Sequence, residues 1–282
     1  MNGLDDLSNL SPELGQKYEL LRAIIAEEQS VVVAFSGGVD STLLLKVSVM
    51  VLGTNATAVI ARSASYPASE LREALKIADM FNVRVEIIDT DELSKSEYRA
   101  NKGDRCYHCK SSLFDITKMA METRQFSGTL YYGAIMDDLG DYRPGMQAAL
   151  ERKVRAPLIE AGLTKKEVRE LSKVLDLPTW DKPATACLAS RFPDGISVSE
   201  EALHQIGRCE ARLSVLGLKV FRARYHGLLV RIELGATEQQ RIWNEPTIRD
   251  QIVEACKNVG FSYVTIDLEG YRSGSGNLVQ LS

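Results

Sequence analysis

Val31-Val32-Val33-Ala34-Phe35-Ser36-Gly37-Gly38-Val39-Asp40-Ser41-Thr42 is the stretch on which the fold turns. Val31 to Phe35 is a short, uniformly apolar run, the composition of a parallel strand covered on both faces. Ser36 to Asp40 reads as a tight glycine turn, and Thr42 to Leu52 as a helix ended by Gly53. Glycines let the backbone turn sharply and come close to a ligand. The N–H groups at a helix start point at an anion, and the helix dipole favours negative charge there. Ser36, Ser41 and Thr42 add hydroxyl donors. The stretch lacks the Gly-Lys-Ser/Thr ending of Walker A and the G-x-G-x-x-G spacing of a dinucleotide turn. The bland alternative is a Gly-rich strand–helix turn with no ligand.

Outward from this point the alternation repeats. Ser11-Pro12 opens a helix marked by Leu14, Tyr18, Leu21 and Ile25. Ala56 to Ala61 reads as a strand, Ser69 to Phe81 as a helix, Val83 to Ile88 as a strand, Lys110 to Thr123 as a helix and Thr129 to Ala134 as a strand. Strands alternating with helices predict an α/β fold: a parallel, doubly wound sheet that binds ligands beyond the carboxyl ends of its strands. Thr164-Lys165-Lys166-Glu167 is a capping box that starts a helix stopped by Asp176-Leu177-Pro178. Trp180 to Gly195 has little periodicity and reads as a functional loop leading to a domain boundary. Ser197-Val198-Ser199-Glu200 reads as a second capping box, with a helix to Leu216. Beyond it come two strands, Phe221 to His226 and Leu228 to Leu234, joined at Gly227. A helical stretch from Gln239 to Asn258 follows, interrupted at Pro246, and then a last strand from Phe261 to Leu268. The expected organisation is a nucleotide-binding domain over residues 1–190 and a smaller α+β domain over residues 191–282.

The chain has 282 residues, 45% of them hydrophobic and 26% charged, as in an ordinary soluble globular protein. Its formal net charge of −4 argues against a broad nucleic-acid surface. No run of about 18 apolar residues is present, so no membrane span is expected. Met1 to Ser11 is acidic and polar, unlike a signal peptide, so a cytoplasmic location is expected. There the five cysteines point to metal or catalysis rather than to disulfides. Cys106-Tyr107-His108-Cys109 is a C-x-x-C placed just before a helix, and Cys187, in the irregular loop, is its natural third partner. Three such cysteines suit a [4Fe–4S] cluster; zinc with His108 as fourth ligand, or no metal, remain open. Cys209 and Cys256 fall within helical patterns and read as buried structural thiols. Arg222, Arg224 and His226 alternate on one strand and share a face, where two arginines could clamp a phosphate or simply be solvated. Asp141 and Arg143 follow a predicted strand, at the edge suited to substrate or Mg²⁺–phosphate contact, or to a surface turn at Pro144-Gly145. Arg191, close after Cys187, is a candidate for a carboxylate or phosphate.

The Ser36–Ser41 segment resembles the PP-loop of enzymes that cleave ATP to AMP and pyrophosphate. Three further segments narrow the resemblance: Gly140-Asp141-Tyr142-Arg143-Pro144-Gly145, Cys187 to Phe192, and Arg222-Ala223-Arg224-Tyr225-His226 with Asp267-Leu268-Glu269-Gly270-Tyr271-Arg272-Ser273-Gly274. In this order they resemble the LarE family, ATP-dependent sulfur transferases of nickel-pincer nucleotide biosynthesis, over nearly the whole chain. The resemblance implies ATP held by Ser36, Gly37, Gly38, Asp40, Ser41 and Thr42. Asp40, Ser41 and Cys187 become the catalytic candidates, and Asp141, Arg143, Arg191, Arg222 and Arg224 the substrate-binding ones. It implies a small-molecule nucleotide substrate, pyridinium-3,5-biscarboxylic acid mononucleotide, adenylylated on a carboxylate in the presence of Mg²⁺ and then thiolated; a homo-oligomer is also expected. Some members carry only the cysteine matching Cys187 and sacrifice its sulfur, leaving dehydroalanine. This chain has Cys106 and Cys109 as well, and so resembles the cluster-bearing branch, which takes sulfur from an added sulfide donor. The rival readings are a [4Fe–4S]-dependent tRNA thiolase and an ammonia-using PP-loop synthetase.

Overall fold

The computed structural model describes residues 10–140, 144–183 and 186–272. These divide into two compact units, drawn from Met1–Ser63, Ala68–Glu92 and Cys106–Thr185, and from Ala64–Pro67, Leu93–Arg105 and Ala186–Ser282. The second unit thus takes in two short segments from the N-terminal half. No helix among the described residues is long and apolar enough to cross a membrane.

In the first unit, α1 (Pro12–Ala26) starts where Ser11 Oγ accepts the Leu14 N–H at 3.2 Å, and it buries Leu14, Tyr18, Leu21, Ile24 and Ile25. The strand β1 (Val31–Ala34) has its three valines wholly buried. Next come α2 (Val39–Leu52), β2 (Ala56–Arg62), α3 (Ala68–Met80) and β3 (Arg84–Asp89). The helix α4 (Ser96–Ala100) belongs to the second unit. Then follow α5 (Arg105–Thr123), β4 (Thr129–Tyr132), α6 (Pro144–Glu151), α7 (Pro157–Glu160) and α8 (Lys165–Val174). The sheet has the order β3-β2-β1-β4, and every neighbouring pair is parallel. The chain therefore steps outward from β1 to β3 and returns to lay β4 on β1's other side. The direction of winding reverses between β1 and β4, where parallel α/β sheets open a crevice at their carboxyl ends.

Val32, Val59, Ile88 and Leu130 meet Phe114 and Ala120 of α5, with Phe126, Ala149 and Val154, in one core cluster. Full burial of one such aliphatic or aromatic side chain contributes about 1.5–3 kcal/mol. α1 and α8 both pack on α2.

In the second unit, α9 (Glu200–Val215) packs against the hairpin strand β5 (Phe221–His226), which pairs antiparallel with β6 (Leu229–Leu234) around Gly227 at φ +69. Two helices follow, α10 (Ala236–Asn244) and α11 (Pro246–Lys257), with Pro246 in the first turn of the latter. The last strand, β7 (Tyr263–Ile266), runs parallel to β6. Cys209 on α9 and Cys256 on α11 are fully buried with sulfurs 3.5 Å apart, as expected of structural thiols.

Several boundaries differ from the sequence-based expectation; the helix expected from Gln239 begins at Ala236, and the last strand spans Tyr263–Ile266 rather than Phe261 to Leu268. α2 begins at Val39 rather than Thr42, so Val39 and Asp40 leave the expected glycine turn and lie with Ser41 in the first turn of the helix. α5 begins at Arg105, so the C-x-x-C occupies its first turns instead of preceding it. Cys106, Tyr107, His108 and Cys109 carry no apolar period, which hid that end of the helix. The cap of α9 is Ser199, whose Oγ accepts the Ala202 N–H at 3.2 Å; Ser197 is not the cap. The short α4, α6 and α7 were not anticipated, because so few residues display no period.

Candidate active site

The β1–α2 turn lies at the point of reversal. Gly38 precedes the first turn of α2 with no side-chain cap, which leaves that end of the helix to an anion. Ser41 Oγ donates to the Gly38 carbonyl at 3.2 Å, lies 3.1 Å from Ser36 Oγ and accepts the Ser36 N–H at 3.3 Å. Thr42 is wholly buried, and no partner is recorded for its hydroxyl within the described residues. Gly37, at φ +66, is backed by α3: a Cβ there would lie 3.0 Å from the Ala74 Cβ. From the other side Gly133, just past β4, comes so close that a Cβ would lie 2.9 Å from Ser41 N. The loop is thus built between two backbones that tolerate no side chain at these positions.

Two lysines complete this part of the site. Lys165 Nζ lies 2.8 Å from both carboxylate oxygens of Asp40. Its position at the start of α8 is held by the Thr164–Glu167 capping box and by Asp137, which accepts the Lys165 backbone N–H at 2.8 Å. Lys182 Nζ donates to the Gly37 carbonyl at 3.2 Å and pairs with Glu70 at 2.7 Å and Glu73 at 2.9 Å. Burial works against the Lys182 charge, yet Glu70 and Glu73 outweigh it and raise its pKa above the usual lysine value. Arg169 holds this segment by donating to the carbonyls of Trp180 and Lys182, each at 2.7 Å. Neither lysine was singled out from sequence. Lys165 could have been read as the first residue after a helix cap; Lys182 sits in an aperiodic stretch that offers no signal.

The second unit gathers the three candidate arginines. Arg224 makes a two-pronged pair with Glu233, at 2.9 and 2.7 Å, and donates to the Ser190 carbonyl at 2.7 Å. Arg191 makes the same kind of pair with Glu210, at 2.9 and 3.1 Å, while Glu210 also accepts the Ala223 N–H. Arg222 instead lies over the Tyr271 ring, 4.9 Å from its centroid. Burial, reinforced by the Arg191 and Arg224 charges, pulls the Arg222 pKa down despite Tyr271 and Glu210. A bound anion would relieve that concentration of positive charge. Arg231 ties the C-terminal motif to the hairpin through Asp267. His226 is likewise lowered by burial and by Arg231.

Cys187 is exposed and immediately precedes the short turn Leu188–Arg191. Its carbonyl accepts from the Ser190 N–H at 3.0 Å, Ser190 Oγ at 2.8 Å and Arg191 at 3.3 Å, so the backbone is fixed while the thiol faces solvent. The loop is fastened to the segment before α5 by Asn101, buried at φ +51. The Asn101 amide donates to the carbonyls of Phe192, Pro193 and Ile196, and its oxygen accepts from Arg105. Cys106 is exposed and Cys109 partly so, one helical turn apart on α5, and none of the five cysteines forms a disulfide. That pair suits two positions of a metal or cluster. Among the described residues no group of three His, Cys, Asp or Glu side chains is gathered as for a metal ion. Asp141 and Arg143 lie outside the described residues.

A parallel sheet with an uncapped, glycine-built helix start at its switch point defines a PP-loop enzyme that uses ATP. The NAD synthase family model accordingly matches residues 16–139. An uncharacterized protein of Synechocystis sp. is 43% identical over 266 residues, 94% of this chain and 98% of that protein. The pyridinium-3,5-bisthiocarboxylic acid mononucleotide synthase of Lactiplantibacillus plantarum is 36% identical over 265 residues, 94% of this chain and 95% of that protein. An uncharacterized protein of Methanocaldococcus jannaschii is 29% identical over 248 residues, 88% and 92% of the two chains. The chain belongs to the family of the pyridinium-3,5-bisthiocarboxylic acid mononucleotide synthase, the LarE family.

Proposed function

We propose that the protein adenylylates the carboxylates of pyridinium-3,5-biscarboxylic acid mononucleotide with ATP and converts them to thiocarboxylates. The observation that carries the reading is the Ser36–Ser41 loop at the sheet's reversal point, flanked by Gly133 and by charged Asp40 and Lys165. The loop and the first turn of α2 hold the phosphates, and Asp40 faces Mg²⁺. A substrate carboxylate oxygen bonds to the α-phosphorus as the bond to the bridging oxygen breaks, and pyrophosphate leaves. A sulfur nucleophile then displaces AMP, because an acyl-adenylate is a far better acyl donor than a carboxylate.

Arg222 holds the phosphate of the mononucleotide, while Arg191 and Arg224, gripped by Glu210 and Glu233, shape the pocket around it. Asp141 and Arg143 contribute from the segment before α6. Losing one charged hydrogen bond to the phosphate costs about 1.5–3 kcal/mol, or roughly one to two decades in affinity. Cys106, Cys109 and Cys187 are the residues that would hold a [4Fe–4S] cluster, since thiolates are the donors such a cluster takes. When bound, the cluster supplies an iron with an open position for an added sulfide. Exposed Cys106 and Cys187 and partly exposed Cys109, with the Cys187 backbone pinned, support this assignment.

The test is product analysis with substrate, ATP and Mg²⁺ under anaerobic conditions with a sulfide source. AMP and pyrophosphate should form, strongly slowed in Asp40→Ala and Ser41→Ala; ADP and orthophosphate as direct products would overturn the reading. Mass spectrometry of the reacted protein decides the sulfur source. An intact Cys187 with about four irons bound supports the cluster, and dehydroalanine in step with product establishes sacrifice of Cys187.

A further inference from the structure

We propose that Tyr271 is a second ligand of the mononucleotide phosphate: its ring holds Arg222 in place and its hydroxyl donates to a phosphate oxygen. The proposal rests on the reading of Arg222 as the phosphate holder and deepens it. The turn from Asp267 to Gly270 hangs Tyr271 on the hairpin. The Asp267 N–H donates to the Ile232 carbonyl at 2.9 Å, and the Asp267 carboxylate pairs with Arg231 and accepts the Glu269 N–H at 2.9 Å. The Gly270 N–H closes the turn on the Asp267 carbonyl at 3.1 Å. Gly270 has φ +76, and a Cβ there would lie 2.8 Å from the Leu234 carbonyl oxygen and against the Gln239 amide, so this close approach needs glycine. The Tyr271 N–H then donates to that same Leu234 carbonyl at 2.9 Å. In the hairpin register Leu234 faces Phe221, the residue before Arg222. The end of β6 therefore delivers the Tyr271 ring to Arg222.

The chemistry of the contact decides the role. Arg191 and Arg224 are gripped by the carboxylates of Glu210 and Glu233, which offset their charge. Arg222 is anchored differently: Nη1 donates to the Phe221 carbonyl at 2.7 Å, and the guanidinium lies 4.9 Å from the Tyr271 ring centroid. An aromatic face attracts a guanidinium without neutralising it, so the charge is kept for an anion. Arg222 Nη2 also lies 3.5 Å from Tyr271 Oη. Arginine only donates, so toward it the phenol oxygen can only accept, and the phenol hydrogen must be aimed elsewhere. A phosphate monoester seated on Arg222 would bring an acceptor oxygen within its reach. A guanidinium and an O–H side by side match a phosphate, which offers an oxygen to each, better than the single hydroxyl of a nucleoside.

Calorimetric titration of full-length wild type, Tyr271→Phe and Tyr271→Leu, each also combined with Arg222→Ala, compares the mononucleotide with the same nucleoside lacking its phosphate. Tyr271→Phe should bind the mononucleotide about 10-fold more weakly, the low end for one hydrogen bond to a charged group. Tyr271→Leu, which also gives up the ring, should lose about a further 3- to 10-fold. Affinity for the nucleoside and for ATP should stay as in the wild type. Combined with Arg222→Ala, Tyr271→Phe and Tyr271→Leu should bind the mononucleotide equally, because the ring then has no guanidinium to hold. A tyrosine that only packs would weaken mononucleotide and nucleoside together and show no such dependence on Arg222. Tyr271→Phe keeps the ring and supplies the measurement if Tyr271→Leu fails to fold. Wild-type mononucleotide affinity in Tyr271→Phe, equal losses for mononucleotide and nucleoside, or Tyr271→Leu no weaker than Tyr271→Phe overturns the proposal. Wild-type mononucleotide affinity in Arg222→Ala would instead sink the reading of Arg222 as the phosphate holder.

Discussion

Arg222 and Arg224 sit two residues apart on β5, and removing them should have opposite consequences. Arg224 and Glu233 are 7% and 1% exposed and share two short contacts, at 2.9 and 2.7 Å. Removing one partner of such a buried pair costs about 3–5 kcal/mol, because the other charge is left in a poorly solvated place. Arg231, 3.3 Å from Glu233, takes up part of that charge, so Arg224→Ala should sit near the lower end, about 3 kcal/mol. With a urea dependence of about 1–3 kcal/mol per molar, the midpoint for the C-terminal unit should fall by roughly 1–3 M. Arg222→Ala removes a charge that burial and Arg191 already disfavour, and loses a ring contact worth about 0.5–2 kcal/mol. Its urea midpoint should move far less, while its affinity for the mononucleotide falls roughly 10- to 100-fold. Urea titration followed by circular dichroism, with calorimetric titration of the mononucleotide, measures both. The paired change Arg224→Met with Glu233→Leu should recover most of the stability, since no buried charge remains orphaned. Equal midpoints for Arg224→Ala and wild type, or mononucleotide affinity unchanged in Arg222→Ala, would refute the division of labour.

Gly133→Ala should impair ATP binding while sparing the mononucleotide. The new Cβ would meet Ser41 N at 2.9 Å and Ser41 Cα at 3.1 Å, and forced overpacking of this kind costs about 1–3 kcal/mol; unchanged ATP affinity would contradict it. Asn101→Ala should loosen the loop from Leu188 to Ile196 and speed its cleavage in limited proteolysis, since three carbonyls lose their donor; a wild-type cleavage rate would show that the latch is dispensable. Lys182 has a folded pKa raised above its ordinary 10.5, so its contribution is complete below that pH and is lost as pH rises through the folded value. The stability gap between wild type and Lys182→Met should therefore be flat from pH 7 to about pH 10 and close above it; a gap that already closes between pH 7 and pH 9 would exclude the raised pKa.

Much of the architecture is legible where one period dominates over enough residues. Val31 to Phe35, short and followed by a glycine turn, reads as an interior strand, and Leu14, Tyr18, Leu21 and Ile25 mark one helical face. The start of α5 escaped because a C-x-x-C flanked by Tyr and His has no apolar repeat. The anion loop was visible because its glycines and hydroxyls are contiguous. Its partners were not, because Gly133, Lys165 and Lys182 reach it only through the β4 crossing and the packing of α8. The arginine cluster falls between these cases. The alternation of Arg222 and Arg224 marks a face, and the hairpin register sets Arg222 opposite Glu233 and Arg224 opposite Arg231. Only the folded side chains reveal that Glu233 reaches diagonally to Arg224 and leaves Arg222 over Tyr271.

The claim that a substrate carboxylate attacks the α-phosphorus of ATP has a direct isotopic test. The mononucleotide carrying ¹⁸O in its carboxylates is turned over with unlabelled ATP, Mg²⁺ and sulfide, and the released AMP is examined by mass spectrometry. If an acyl-adenylate forms and sulfur displaces AMP at the acyl carbon, one labelled oxygen is carried into each AMP and none into pyrophosphate. Unlabelled AMP, or label appearing in orthophosphate beside ADP, would contradict the account.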